Sequence, residues 1–589
     1  MRSLAIISLL LLLTACASDN NNCDSSYTAI SAIQGTSYQS PLVDQQVITQ
    51  GVVTAVVYPG SPAAGLIVQS RSPDNDPRTS EGLFVSISDN LSAYNIGQLL
   101  QLQGTVAEIN QQTTLTAVTR ISVCSSGHTI PPQELSLPLP ETLSWEALEG
   151  MSVRFTQQLV VNDTYPLGRY GEILLADERL WQATEIVAPG QQATEFEARQ
   201  QQRQIWLDDG LWQQNPDPVV YPTGGLTAAN TIRIGDTVSQ VEGIIWQDQR
   251  GYKVIPVKQP RFTQTNPRPA TPDAKPANHL RIASFNVLNF FTGADQPAPF
   301  PTRRGASNAA ELARQQAKLV NAILAMDADI VGLLEVENNG YGPQGALATL
   351  VAALNQQRGH QEYDFIRTAV SPGSDAIMVA LIYRPSQVSP QGMAALNLTE
   401  PFNYGSRPPL AQSFRHQRSD KIITVSVNHF KSKGSCPKSG SEDADQHDGQ
   451  ACWNASRVKA ADALARWLAT QPTGINTDKQ LILGDLNAYR QEDPIRKLQQ
   501  HGWQYLSHGN TPQYSYVFRG RTGSLDHVLA TPALATQLQQ LQHWAINADE
   551  PAILDYNLEY KSPVQQQTLY APTPYRSSDH DPLIATFSF

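Results

Sequence analysis

The chain has 589 residues, a net charge of −11 and 41% hydrophobic residues. This length exceeds what one hydrophobic core can organise, so about three domains are expected. No internal apolar run approaches the roughly 20 residues of a membrane span. Residues 1–278 hold 16 basic and 26 acidic residues, against 26 and 27 in the remainder. This balance argues against tight, salt-resistant binding of nucleic acid, although it allows transient contact.

The first residues have the pattern of an export signal. Arg2 precedes the apolar run 4–13, which fits a secretory signal but is too short for a membrane span. The motif Leu-Thr-Ala-Cys, ending at Cys16, resembles a bacterial lipobox and predicts that this cysteine carries lipid. Residues 1–22 would then be the signal and a short tether. We expect an outer-membrane lipoprotein at the cell surface. A secreted, extracellular protein with an ordinary signal peptide is the alternative.

Four further cysteines are an even number, as expected for disulfides in an exported protein. Four cysteines allow three pairings. The domain layout favours Cys23–Cys124, at the two ends of the first domain, and Cys436–Cys452, around a local polar loop. A zinc site is disfavoured, because neither CxxC nor a suitable histidine spacing is present.

Residues 23–130 predict a small antiparallel barrel. Short alternating segments, such as 46–57 and 98–106, are separated by turn residues. The placing of Gly and Val resembles the OB-fold modules that precede some bacterial surface nucleases. Such barrels often bind single strands. Because a basic groove and a stacking surface are not visible here, a structural spacer is the alternative.

The remaining sequence divides into three parts. Residues 131–262 are again β-rich and predict a second domain. Residues 263–278 contain four prolines and almost nothing apolar, which indicates a linker. From 279 to 589, apolar strands alternate with amphipathic helices, which predicts a layered α/β catalytic domain. Polar residues follow several of these buried strands, where ligands and catalytic groups collect in α/β proteins.

The motifs of residues 279–589 resemble a known family. They read, in chain order, SFNVLNFF (284–291), DIVGLLEVEN (329–338), VNHFKSKG (427–434), LILGDLNAY (481–489), GSLDHVLAT (523–531) and PYRSSDHDP (574–582). Together they look like the endonuclease/exonuclease/phosphatase superfamily, and more narrowly its bacterial ExeM-like extracellular nucleases. The resemblance implies a DNase I-like four-layer α/β sandwich, preceded by OB-like barrel domains.

The resemblance also implies a divalent metal site. Phosphodiester cleavage needs charge relief on the phosphate and help for the leaving oxygen, and Mg²⁺ or Mn²⁺ supplies both through oxygen ligands. Asn286, Glu335 and Asp579 match the family's metal positions. The family often has Gln before this glutamate, whereas Leu334 stands here. Ca²⁺ is an additional candidate ion.

The catalytic groups carried over from the family form two sets. In the first, Asp485 orients or activates the attacking water, while Asn487 holds a phosphate oxygen or the metal. In the second, Asp526 fixes the tautomer of His580, which contacts the scissile phosphate or takes a proton.

Three further residues would complete the phosphate site. His429 would lie on the other side of the phosphate, Asp375 would pair with His429, and Arg407 would bind the phosphate.

The sequence therefore predicts a monomeric, metal-dependent nuclease that hydrolyses DNA, and perhaps RNA, outside the cell. Its role would be nutrient scavenging or turnover of a biofilm matrix. The membrane would be reached through the N-terminal lipid, and no protein partner is expected. One alternative is a phosphatase or phospholipase of the same superfamily. The other is a surface lipoprotein that binds nucleic acid without cleaving it.

Overall fold

A computed structural model describes residues 23, 26–88, 90–403, 406–507 and 512–589. Cys16 lies outside the described residues. The chain divides into two compact units. The first takes residues up to 134 with 140–154 and 242–257, and the second takes 135–139, 155–241 and 258–589. The β-rich stretch 131–262 is thus shared between the two units. None of the described helices is long and apolar enough to cross a membrane.

The first unit contains a closed five-stranded barrel. Its elements are α1 (Ile30–Gln34), β1 (Gln46–Val57), β2 (Gly65–Gln69), β3 (Gly82–Ser86), β4 (Leu99–Ile109) and β5 (Gln112–Ser125). Strand β1 pairs with β2 and β4, and β3 pairs with β5. Inward residues such as Leu66 and Leu100 are fully buried. The predicted disulfide Cys23–Cys124 is present, and its Cα atoms lie 5.5 Å apart.

The next elements contribute to both units. They are β6 (Gln133–Leu135), β7 (Ser152–Phe155), β8 (Leu159–Asp163), α2 (Leu167–Tyr170), β9 (Ile173–Ala176), α3 (Ala183–Ile186), α4 (Gln191–Gln201), β10 (Gln204–Leu207), β11 (Thr237–Ser239), β12 (Glu242–Asp248), β13 (Gly251–Pro256) and β14 (Arg261–Thr263). In the first unit, β12 pairs with β7 and β13, and Trp246 packs edge-on against Tyr58 and Phe84 of the barrel. In the second unit, the strand order is β14-β11-β8-β9-β10.

The remaining elements of the second unit alternate strand and helix. They are β15 (Leu280–Phe290), α5 (Ala309–Met326), β16 (Ile330–Glu337), α6 (Ala346–Arg358), β17 (Asp364–Phe365), β18 (Ile377–Tyr383), β19 (Val388–Leu396), β20 (Leu410–His416), β21 (Ile422–His429), α7 (Asn454–Ala469), β22 (Gln480–Asp485), α8 (Asp493–Gln500), β23 (Gln504–Tyr505), β24 (Tyr516–Phe518), β25 (Arg521–Gly523), β26 (Asp526–Ala530), α9 (Pro532–Ala535), β27 (Leu538–His543), α10 (Pro563–Thr568) and β28 (Leu583–Phe587).

These elements build a four-layer sandwich. One six-stranded sheet has the order β17-β18-β16-β15-β28-β27, and the other has the order β19-β20-β21-β22-β26-β23. Their inner faces share one apolar core, in which Ile282 and Leu483 are buried. Helices α5 and α6 cover the outer face of the first sheet, and α7 and α8 cover that of the second. Because both faces of each sheet are covered, the central strands are rich in buried apolar residues. The predicted α/β sandwich is confirmed.

Residues 155–241, which we call the buttress segment, are joined to the sandwich within the second unit by buried ion pairs. Arg233 is 2% exposed, donates to Glu550 and lies 3.4 Å from Asp549. Arg179 binds the same Asp549 at 3.1 Å. A buried charge that loses its partner is strongly destabilising. We infer that the buttress segment and the sandwich fold as one structure.

Candidate functional site

The second sheet aligns three polar residues at one edge. His429 ends β21, Asp485 ends the neighbouring β22, and the register pairs the two directly. Asp526 begins β26, where it is the register partner of Asp485. Gly484 makes the close approach of β22 to β21 feasible. Its φ is +132°, and a Cβ there would lie 2.0 Å from the Asn428 carbonyl oxygen.

Asp526 forms a buried pair with His580, which precedes β28 of the other sheet. The Asp526 Oδ2 and His580 Nδ1 atoms are 2.7 Å apart. Burial opposes charge on the imidazole, but Asp526, with smaller contributions from Asp579 and Asp485, holds the pKa of His580 well above its usual value. Burial also opposes the carboxylate of Asp526, yet the imidazolium lowers the pKa of Asp526 overall. This pair is therefore a carboxylate and a charged imidazole, with Nε2 left to face a substrate.

Asp485 is a buried carboxyl group whose pKa lies near neutral pH. Burial, with a contribution from Asp526 and against the pull of His580, raises the pKa of Asp485 to about 7. The backbone N–H of Asn487 donates to Asp485 Oδ1 at 2.8 Å. The Nε2 atom of His429 lies 3.5 Å from Asp485 Oδ2. Burial and the neighbouring Arg407 lower the pKa of His429 well below its usual value, so this imidazole is neutral.

Glu335 lies in a bulge of β16 with a φ of +63°, which is rare for a residue other than glycine. The bulge turns its carboxylate toward β15. There Asn286 Nδ2 donates to Glu335 Oε1 at 3.2 Å, and the Asn289 N–H donates to Oε2 at 3.1 Å. Burial and the charge of Asp579 raise the pKa of Glu335. Backbone strain of this kind concentrates at functional sites.

Asp375 does not pair with His429, contrary to the expectation from the sequence. Its carboxylate instead lies 3.8 Å from Arg407 Nη1 and 3.6 Å from Arg304 Nη2. His429 pairs with Asp485 instead, because those two residues end adjacent parallel strands. Arg407 is buried and donates to the Phe430 carbonyl, which also accepts a hydrogen bond from Asn487 Nδ2. Asp375 therefore positions Arg407.

Sequence reasoning missed three residues of the site. The Tyr516 ring packs on the His580 ring, with centroids 4.6 Å apart. Ser515 Oγ accepts from the backbone N–H of Asp526 at 3.2 Å. Asn547 Nδ2 donates to the His580 carbonyl at 2.7 Å. No motif marks Ser515 or Tyr516, whereas Asn547 lies in the family-like motif HWAINADEP (543–551), from which no role was predicted for it.

The donors around Glu335 fit a hard divalent cation. Two carboxylates, Glu335 and Asp579, are close enough for the charge of one to raise the pKa of the other. Asn286 adds an amide oxygen, which already accepts from the Leu288 N–H at 3.0 Å. No cluster of three or more His, Cys, Asp or Glu with metal-binding geometry occurs in the described part of the chain. Mg²⁺ is commonly held by one or two carboxylates, with water and substrate oxygens as its other ligands.

Two sequence families match the chain. The Endonuclease/Exonuclease/phosphatase family matches residues 283–580, which include all ten candidate site residues. A domain of unknown function, DUF8508, matches residues 143–267. No curated protein matches the chain at a significant level.

Solved structures resemble the sandwich at low sequence identity. The human Nocturnin catalytic domain is 17% identical, with 54% of this chain and 96% of that chain covered and a TM-score of 0.33. D. rerio TDP2 complexed with a single-strand DNA product is 13% identical, with 53% and 99% covered and a TM-score of 0.32. A mannosyl-6-phosphatase of Bacteroides thetaiotaomicron is 14% identical, with 53% and 100% covered and a TM-score of 0.30.

Proposed function

Since the chain belongs to the endonuclease/exonuclease/phosphatase family, we propose that it is a metal-dependent nuclease whose main substrate is DNA. The observation that carries this proposal is the convergence of the Asp526–His580 pair and Asp485 beside Glu335. A charged imidazole, a carboxyl group with a pKa near neutrality and a set of oxygen donors are the groups that phosphodiester hydrolysis requires.

The proton steps follow from the charges of the site. Asp485, with a pKa of about 7, accepts a proton from the attacking water at neutral pH. His580 is positively charged, and its Nε2–H stabilises the negative charge that builds up on the phosphate oxygens. Asp526 holds the ring in that orientation through Nδ1. His429 is neutral and orients Asp485.

The metal would be held by Glu335 and Asp579, with the oxygen of Asn286 as a further ligand. When bound, Mg²⁺ or Mn²⁺ withdraws charge from the phosphate and stabilises the leaving oxygen. Asn286 also holds the Glu335 carboxylate in place through its Nδ2. A bound cation would compensate the carboxylates that crowd this edge of the sandwich.

We extend the proposal to the cellular location of the protein and to the role of its barrel. The lipobox-like motif supports lipid attachment at Cys16 and a position at the cell surface, where the enzyme would degrade extracellular DNA. The ExeM-like motifs support nucleic acid rather than a lipid phosphoester. The five-stranded barrel would be an OB-like module that binds or presents single strands.

Plasmid nicking tests the proposal. The chain without residues 1–22 is incubated with supercoiled plasmid in Mg²⁺ or in EDTA, beside His580→Ala. We expect nicked and then linear DNA in Mg²⁺, and none in EDTA. Loss of the charged imidazole should lower the rate by about 10²-fold or more. A matched control is His501→Ala, which removes another Asp–His pair, with Asp462 at 2.8 Å, outside the site.

Other outcomes would redirect the assignment. Metal-dependent hydrolysis of phosphomonoesters or phospholipid vesicles, with DNA left intact, would keep the site and replace the substrate. Binding of DNA without cleavage in any metal would favour the non-catalytic surface protein. Equal losses for His580→Ala and His501→Ala would show that the Asp526–His580 pair has no special role.

A further inference from the structure

A cleft of about 100 Å³ opens beside the catalytic groups. Tyr516 and Asp579 form its inner side, and Arg576 lines it as well. The outer side is formed by Asp163 and Tyr165 of the buttress segment. A single water needs only about 10–15 Å³ of such space, so the cleft has room for a larger group. The buttress segment therefore forms one wall of the site.

Tyr165 is an exposed aromatic ring on a fixed backbone. Its side chain is 79% exposed, although it borders a cleft. Its N–H donates to Asp163 Oδ1 at 2.7 Å, and Pro166 restricts it from the other side. The following helix α2 is anchored, since a Cβ on Gly168 would lie 2.5 Å from Ile553 Cδ1 of the sandwich. A rigid, solvent-facing tyrosine loses little entropy on contact with a ligand.

The β24–β25 hairpin also lines the cleft, through Tyr516 and Val517. Gly520 at its turn lies so close to β8 and β9 that a Cβ would be 2.3 Å from Leu174 Cδ2. Phe518, 49% exposed, lies next to this turn, and the Arg519 guanidinium lies over its ring, 5.2 Å from the centroid. The same hairpin carries Tyr516 to His580. Aromatic faces and arginines thus border the approach to the catalytic imidazole.

We propose that this cleft binds the nucleobase next to the scissile phosphate, with Tyr165 as its stacking surface. This inference rests on the proposed function and adds the form of the substrate. A base can stack on Tyr165 only after it has left a duplex, so the enzyme takes single-stranded or frayed nucleic acid in preference to intact duplex. The carboxylates of Asp163, Glu550 and Asp579 in the lining suit a neutral base better than a further phosphate.

The test compares three substrates with the chain lacking residues 1–22. They are a single-stranded oligonucleotide, the same sequence as a blunt duplex, and an abasic dimer of two tetrahydrofuran sugars joined by one phosphate, a small phosphodiester without a base or any other aromatic ring. Stacking is worth about 1–3 kcal/mol per base, so Tyr165→Ala should lower kcat/KM for the single strand by about 5- to 150-fold. Hydrolysis of the small diester should stay unchanged. Tyr165→Phe, which keeps the ring, should retain activity on the single strand.

A matched control is Tyr560→Ala, which removes another exposed tyrosine, 83% exposed and outside the cleft lining. It should leave all three rates unchanged. Unchanged cleavage of the single strand by Tyr165→Ala would overturn the proposal. So would an equal loss on the small diester, which would indicate a structural role. If the proposed function itself is wrong, the unmodified chain will cleave neither oligonucleotide, and this result is distinguishable from an unchanged rate in Tyr165→Ala.

Discussion

The barrel and the buttress segment are both β-rich, yet they are stabilised in different ways. The barrel has a core of its own strands and one disulfide. The ion pair Arg154–Glu242 of its unit is partly open to solvent, with 43% of the arginine side chain exposed. The buttress segment instead shares buried charges with the sandwich, through the 2%-exposed Arg233. We conclude that apolar packing within the first unit stabilises the barrel, whereas the buttress segment is part of the catalytic structure.

The largest effect should come from Arg233→Leu. This change leaves Glu550 and Asp549 buried with one partner fewer, so the free energy of unfolding should fall by about 3 to 5 kcal/mol. Arg154→Leu is the matched control, and because its pair is partly exposed the loss should be under about 1 kcal/mol. Urea unfolding followed by tryptophan fluorescence measures both. Similar losses in the two variants would remove the distinction between the regions.

Removal of the barrel disulfide should come next. Replacing Cys23 and Cys124 by Ser opens a loop that spans 101 residues and should cost about 2 to 4 kcal/mol of stability. Cleavage of bis(p-nitrophenyl) phosphate should be unchanged below the unfolding temperature. The control, Cys436 and Cys452 to Ser, opens a 16-residue loop of the sandwich and should alter stability less. A loss of diester hydrolysis in the Cys23 and Cys124 variant would contradict the independence of the barrel.

A pH-dependent effect should follow from Glu185 of the buttress segment. Burial raises the pKa of Glu185 from 4.5 to about 7, although the Ser524 N–H donates to it at 3.2 Å. The folded protein therefore holds a proton that the unfolded chain releases, and the free energy of unfolding falls from pH 4.5 to 7 and then levels off. Glu185→Gln should remove at most about 3 kcal/mol of this fall.

Unfolding measured across this pH range, beside the exposed Glu195→Gln, checks the prediction. The Glu185→Gln curve should lie close to that of the unmodified protein at the acid end and above it at pH 8. If the free energies of unfolding of the two proteins changed in parallel at all pH values, Glu185 would not be protonated in the folded protein.

The smallest effect should come from a partly exposed carboxylate of the same segment, which pairs with an arginine of β25. Glu197 is 38% exposed and binds Arg521 at 2.8 Å. Glu197→Gln should change the free energy of unfolding by about 1 kcal/mol or less, because water screens the Glu197 carboxylate and Arg521 still donates to Gln204 at 2.7 Å. The same urea experiment measures it. A loss as large as that of Arg233→Leu would mean that burial is not what distinguishes the pairs.

The sandwich was predictable from the sequence, and so were most of the residues that meet at the site. Buried apolar runs that end in a polar residue are a strong signal, and the sheet register places His429, Asp485 and Asp526 side by side as that signal suggested. The two disulfide pairings were also correct, because each joined cysteines within one part of the predicted layout.

Features that depend on tertiary packing were not predictable. The partner of Asp375 depends on where the Arg407 side chain turns, and the sequence carries no sign of it. Tyr516 reaches His580 only because the β24–β25 hairpin is held against the buttress segment. The β-rich pattern of 131–262 likewise indicated strands, but it could not indicate that they belong to two compact units.

The bulge at Glu335 implies that the site is maintained at the expense of stability. Its left-handed backbone and its crowded, buried carboxylate are both unfavourable. Asn tolerates this backbone better than Glu and carries no charge, so Glu335→Asn should raise the free energy of unfolding by about 1 kcal/mol while abolishing cleavage. Thermal unfolding beside a cleavage assay checks both halves. Such a variant would be a stable inactive form, suited to trapping the protein with uncleaved substrate.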